Sequence, residues 1–215
     1  MEPGAVALAR PLVPEDQARA DFYALLARLY ADPPDAALLA AIAGAAPLRI
    51  DADMDRPDAA APSLAAAWDA LRVASGVMDP EAVVEEYNNL FVGVGKSEVN
   101  LHASHALTGF MMEKPLVEVR TALADLGLGR REGVTMLEDH LAALCETMRM
   151  LIAGHAGRAP ASLAEQKAFF ERHIASWVFA CCTAIGQSPV ANYYLRVAQL
   201  TDSYMALERD SLAVE

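Results

Sequence analysis

Glu138, Asp139 and His140 stand side by side at the head of an apolar stretch, and His102 and His105 sit three residues apart upstream. Two imidazoles at that spacing bind a metal when a third ligand folds in, but such short matches carry false positives. The more specific helical pattern is Glu-x-x-His, which puts both groups on one face. Glu138 and His140 are only two apart, which splays them by about 200° around a helix axis and argues against a carboxylate-bridged metal. A helical metal protein or enzyme using His102, His105 and His140 therefore stands as the alternative to a plain polar loop. Cys145 as a nucleophile needs a base and an oxyanion site. It occupies an apolar mid-helix position that suits a small buried hydrophobe. Ser104 lacks a surrounding G-x-S-x-G turn, and Gly93-Val94-Gly95-Lys96 lacks phosphate-loop spacing. Met136, Met148, Met150 and the pair Met111-Met112 read first as core filler, and second as an adaptable groove.

The elements that must position these groups are helices. Phe22, Leu25, Leu26 and Leu29 recur at helical spacing between Pro14 and Tyr30, and Asp32-Pro33-Pro34 stops that helix. Shorter helices are expected over 35–43 and from Ser63 to about Gly76, with 44–62 as a surface loop. Asp79-Pro80-Glu81 is a strong helix start. That helix continues to about Phe91 and ends at Gly93 and Gly95. Residues 93–108 read as an irregular loop, and a helix follows from Glu113-Lys114-Pro115 to Leu126. Thr135 with Glu138 reads as a capping box opening a helix striped by Leu137, Leu141, Leu144, Met148 and Leu151 and ending at Gly154. Acids in its first turn would complement the helix dipole, whereas His140 would be a cation-capable group at the wrong end. Two further helices are expected over 161–186 and 189–209, with Pro189 heading the last. No window shows strand alternation or a solenoid repeat. The class is all-α, with short connections and antiparallel neighbours.

Composition agrees. The 215 residues suffice for one domain with a full core. Apolar residues make up 54% of the chain, mostly Ala and Leu, which favours helix over strand. A net charge of −12 disfavours nucleic acid and anionic lipid and favours basic partners. Cys145, Cys181 and Cys182 are poorly spaced for disulfides, which suits a reducing compartment. The N-terminal MEPGAVALARPLVPEDQ lacks the basic start and apolar run of a secretory signal. The apolar run Trp177 to Gly186 is too short to span a bilayer. The expectation is a cytoplasmic protein without direct membrane insertion.

The segment from Glu86 through Tyr87, Leu90, Phe91 and Gly93 to Gly95, followed by Glu138-Asp139-His140-Leu141 and then Glu146 and Met148, resembles the TorD/DmsD/NarJ family of redox-enzyme maturation chaperones, and within it the TorD-type branch. Asn192-Tyr193-Tyr194 and Leu200-Thr201 fit as well, and the resemblance runs from about residue 16 to 210. Y-x-x-L-F-x-G-x-G paired with the later acidic-histidine element is the specific part. The loop Leu101 to Leu107 keeps Ser104 but lacks the proline and aromatics common in the family, and Glu-Asp-His lacks the spacer residue of some members.

The resemblance implies a single TorD-like helical domain over 1–215, or two packed helical halves, with residues 1–13 frayed. It implies a monomer or domain-swapped homodimer, with 93–113 and 127–135 as candidate hinges. The implied activity is chaperoning, without catalysis or a cofactor. The implied partner is the twin-arginine signal peptide, or the apo catalytic subunit, of a molybdenum or tungsten oxidoreductase. Residues 109–120 look most like members associated with formate dehydrogenases. A basic head followed by an apolar stretch calls for an apolar groove with acids at one end. Phe91, Leu141, Leu144 and Met148 are the expected groove. Glu138 and Asp139, with Glu85 and Glu86, are the expected acids, and Tyr87, Ser104 and His140 complete the expected peptide site.

Overall fold

The computed structural model describes residues 12–49, 62–93, 97–155 and 158–213. The expected frayed start and the 44–62 loop lie mostly outside these residues, as do Val94, Gly95 and Lys96. Among the described residues the regular structure is helical, apart from the isolated bridges His102–His140 and His155–Arg158. The all-α expectation holds.

The first helices start where local chemistry places them. Helix α1 (Pro14–Ala31) has Pro14 in its first turn, followed by Glu15 and Asp16. Helix α2 (Ala36–Gly44) is capped by the Asp35 carboxylate, which accepts from the Leu38 amide at 2.8 Å. Ser63 caps α3 (Leu64–Val77), and Asp79 with Pro80 opens α4 (Pro80–Tyr87). A π-helical turn, Asn88–Val92, continues α4 and ends at Gly93, whose φ of 63° suits glycine.

The second half departs from local expectation. The segment read as an irregular loop contains a short helix, α5 (Ala103–Thr108), and α6 (Lys114–Asp125) follows as expected. Helix α7 runs Leu141–Ala153, so it opens six residues after Thr135, and the Thr135–Glu138 capping box is not formed. The expected 161–186 helix is divided into α8 (Leu163–Phe170), a π-helical turn (Glu171–Ala175) and α9 (Val178–Gln187). The last helix, α10 (Tyr193–Ala213), starts past Pro189. Its start is set from a distance. The buried Glu86 carboxylate accepts from the amides of Asn192, Tyr193 and Tyr194 at 2.9, 3.0 and 2.7 Å. A carboxylate there satisfies orphan helix amides and complements the dipole.

One apolar core joins these elements. Helix α1 lies along α7, with Tyr23, Leu26, Leu29 and Tyr30 facing the α7 side that carries Leu141, Leu144, Cys145 and Met148. Helix α10 packs on α3 and α9. An ion pair closes the far end of α1: Arg19 donates to both Glu208 oxygens, at 3.0 and 2.6 Å, with Glu208 only 2% exposed. No described helix is long and apolar enough to cross a membrane.

Candidate functional site

The two signature segments meet through the strand-like stretch 97–102. The Val99 amide donates to the Leu90 carbonyl at 2.9 Å, and the Leu141 amide donates to the Leu101 carbonyl at 2.8 Å. Past these ties the chain carries His102, Ala103 and Ser104 onto the Glu138–His140 turn.

Asp139 works on a different helix from the one that follows it. Its backbone oxygen accepts from the Ala103 amide at 3.0 Å, and its Oδ2 accepts from the Ser104 amide at 2.9 Å. Both donors are orphan amides of the first turn of α5. Asp139 thus satisfies the first two amides of α5 from outside that helix. Asp139 and Ser104 are both 0% exposed.

His140 is the N-cap of α7. Its ring Nδ1 accepts from the Ala142 amide at 3.1 Å. This resolves the apparent misplacement of a cation at a helix start, because an accepting imidazole is neutral and carries its proton on Nε2. Burial, with the neighbouring His102 as a smaller cause, lowers its pKa to about 3. The His102 ring stands edge-on to it, centroids 4.8 Å apart. His102 Nδ1 donates to Asn100 Oδ1 at 2.9 Å, and that oxygen also accepts from the His102 amide at 3.0 Å. Burial lowers the His102 pKa as well; Asp139 acts in the opposite sense and His105 in the same sense.

Four buried side-chain polar atoms lack a hydrogen-bond partner among the described residues, and two of them, Ser104 Oγ and Asp139 Oδ1, belong to this junction. Buried polar atoms are almost always paired, so their coincidence here marks the site.

Other expected site residues are placed differently. Leu141, Leu144 and Met148 are each 0% exposed; they belong to the core and line no open groove. Helical periodicity identified a buried face correctly, but that face is covered by α1. Tyr87 is buried, and its hydroxyl donates to the carbonyls of Tyr30 and Ala31 at the end of α1, at 3.1 and 3.0 Å. Phe91 is half-buried in an aromatic group with Tyr30, Tyr87 and Tyr194, at centroid distances of 6.2, 5.2 and 5.0 Å. No hydrogen bond or ring contact joins that group to Ser104, Asp139 or His140 among the described residues.

Of the expected acids, Glu138 is already held by the protein's own arginines, Arg120 at 3.0 Å and Arg130 at 3.6 Å. Burial would raise its pKa, but the hydrogen bonds from Arg120 and from its own backbone, with the two guanidinium charges, outweigh that and lower it. Glu86 is spent on α10, whereas Glu85 is exposed. Among the buried acids of this set, the carboxylate oxygen without a partner among the described residues is Asp139 Oδ1.

Cys145 is fully buried, and burial, then the Glu146 charge, raises its thiol pKa. The imidazoles of His102 and His140 each commit Nδ1 to the protein, and no group of three His, Cys, Asp or Glu side chains is arranged to hold a metal among the described residues. Among the described residues, three surface pockets lie at Arg19 and Lys167, along α3 at Val73 and Val77, and at Cys182 and Leu195.

Sequence reasoning missed Asn100, whose oxygen fixes the His102 proton. Its position two residues before a histidine, with an Asx turn's reach, was the available signal. It also missed the exposed apolar turn after α5, where Phe110 and Met112 are 70% and 69% exposed. The sequence reads Met112 first as core filler and second as part of an adaptable groove, and its exposure overturns the first reading.

Comparison with known proteins rests on one family. The family model described as the nitrate reductase delta subunit matches residues 57–183, more than half of the chain and the whole stretch from α3 through α7. No curated protein matches the chain. The matched span contains both signature segments and the junction between them, and the chain belongs to the nitrate reductase delta subunit family, the NarJ- and TorD-type chaperones of redox-enzyme maturation.

Proposed function

We propose that this chaperone binds the twin-arginine signal peptide, or the apo catalytic subunit, of a molybdenum or tungsten oxidoreductase in the cytoplasm. It would hold that client until its cofactor is inserted. Formate dehydrogenases are the client class we favour, on the likeness of residues 109–120 noted above. The observation that carries the reading is the pair of unpartnered buried acceptors at the α5–α7 junction, Asp139 Oδ1 and Ser104 Oγ.

A buried carboxylate with no cation beside it is costly, and a ligand that supplies a guanidinium recovers that cost through charge-assisted hydrogen bonds. Asp139 is enclosed in the free protein, so an arginine would reach it by displacing the 97–102 stretch, which backbone bonds at Val99 and Leu101 hold in place. His140 and Ser104 line that approach. Leu141, Leu144 and Met148 contribute from behind, as the packing that fixes α7, and Tyr87 and Phe91 belong to the helical segment whose Leu90 carbonyl holds the near end of the stretch at Val99. Glu138 takes part by tying Arg120 and Arg130 away from Asp139. The acidic surface, with a net charge of −12, speeds encounter with a basic leader.

Calorimetric titration with a synthetic peptide carrying an arginine pair followed by a Leu-Ala stretch tests this. Asp139→Asn keeps an acceptor for the Ser104 amide and removes the charge. The loss expected is about 1.5–3 kcal/mol, at least about ten-fold in Kd, with unchanged circular dichroism. Equal affinity of the variant and the parent protein would remove Asp139 from the site.

A further inference from the structure

The turn joining α5 to α6 displays apolar side chains on a strained and well-clamped backbone. Leu107, Phe110 and Met112 are 47%, 70% and 69% exposed. Met112 has φ 59°, and it is the one non-glycine in the left-handed region among the described residues. That conformation costs an L-residue roughly 1–2 kcal/mol. The turn is nonetheless fixed. Thr108 Oγ1 donates to the Ser104 carbonyl at 2.7 Å and accepts from the Phe110 amide at 3.2 Å, and Asn100 Nδ2 donates to Met111 Sδ at 3.4 Å. Strain kept in an ordered turn that exposes an aromatic and a thioether points to use rather than accident.

Charge says what fits. Asp139, with its unpartnered oxygen, lies at the N-terminal end of α5, and the exposed Glu113, which has no ion pair among the described residues, follows Met112. A second copy of this chain would bring the same acids and another −12 charge to the patch, which disfavours self-association. A segment with cations next to an apolar run is the complementary partner. Helix α5 is six residues long, so the carboxylate and the apolar turn are separated by about 9 Å, about three residues of extended peptide.

We propose that Leu107, Phe110 and Met112 form the seat for the apolar part of the client leader, with its basic head directed along α5 toward Asp139. This deepens the leader-binding reading and rests on it. It also supplies the apolar surface that the buried Leu141, Leu144 and Met148 do not offer.

Two variants and two peptides test it by calorimetry. Phe110→Ser removes the largest exposed apolar group. Met112→Gly removes the side chain and relieves the backbone, so its melting temperature is expected to hold or rise. The probes are the arginine-pair peptide with a Leu-Ala stretch and the same peptide with those leucines replaced by serine. Each variant is expected to bind the first probe about ten-fold more weakly and to show no further loss with the serine probe. Parent-like affinity of both variants for the first probe would overturn the apolar seat while leaving the leader-binding reading in place. A parent protein that binds neither probe would overturn both.

Discussion

Lowering the pH from about 7 to about 4.5 should destabilise this protein through His140, and replacing His140 with asparagine should remove that sensitivity. In the folded state the ring is buried, caps α7 as an acceptor and has its pKa lowered to about 3, against 6.5 for a free histidine. A base with a depressed folded pKa stays neutral when folded and takes up a proton when unfolded. Stability is therefore full above about pH 6.5, falls as pH drops below that value, and continues to fall until the folded ring titrates near pH 3. At about 1.36 kcal/mol per pH unit of difference, the His140 contribution between pH 7 and pH 4.5 is about 2.5 kcal/mol. For a chain of this size that is roughly 5–10 °C in Tm. The titratable group recorded against the ring is His102, with centroids 4.8 Å apart. Asparagine is a good N-cap and does not titrate. Urea unfolding of both proteins at the two pH values gives the double difference, in which effects of net charge cancel. Parallel pH dependences would refute the neutral-cap assignment.

Glu86→Gln removes the charge from a carboxylate that accepts three amides, and sets an amide donor against donors; a loss of about 2–4 kcal/mol in urea unfolding is expected. A loss below about 0.5 kcal/mol would show that α10 needs no remote cap. Gly154→Ala places a methyl 2.7 Å from the Arg158 carbonyl at φ +76° and should lower stability by at least about 2 kcal/mol in thermal unfolding. An unchanged Tm would mean that the turn after α7 yields freely.

How much of this was legible follows from where each cap comes from. Asp35, Ser63 and Asp79 bond amides two or three residues ahead, so α2, α3 and α4 could be read from the sequence with nearly correct starts. Asp139 bonds the amide of Ser104, thirty-five residues earlier, and Glu86 bonds amides more than a hundred residues later. Local spacing carries no trace of either, so the sequence alone predicts loop over α5 and a start at Pro189 for α10. The Thr135–Glu138 box failed for the same reason: Glu138 is drawn off by Arg120 and Arg130, and His140 is left to cap. The stripe Leu141, Leu144 and Met148 was legible as buried, but periodicity does not say whether a helix or a ligand covers it. The exposure of Phe110 and Met112 depends on a left-handed methionine, which residue type alone does not forecast. The two signature segments are tied by backbone bonds to the 97–102 stretch, at Val99 and at Leu101.

The most direct test of the central claim is affinity capture of the tagged protein from its native cell, with quantitative mass spectrometry of what is retained. The account predicts enrichment of a molybdenum or tungsten oxidoreductase catalytic subunit, with its twin-arginine leader still attached, and a sharp drop of that subunit with Asp139→Asn. Capture that enriches no such subunit over an untagged control would contradict it.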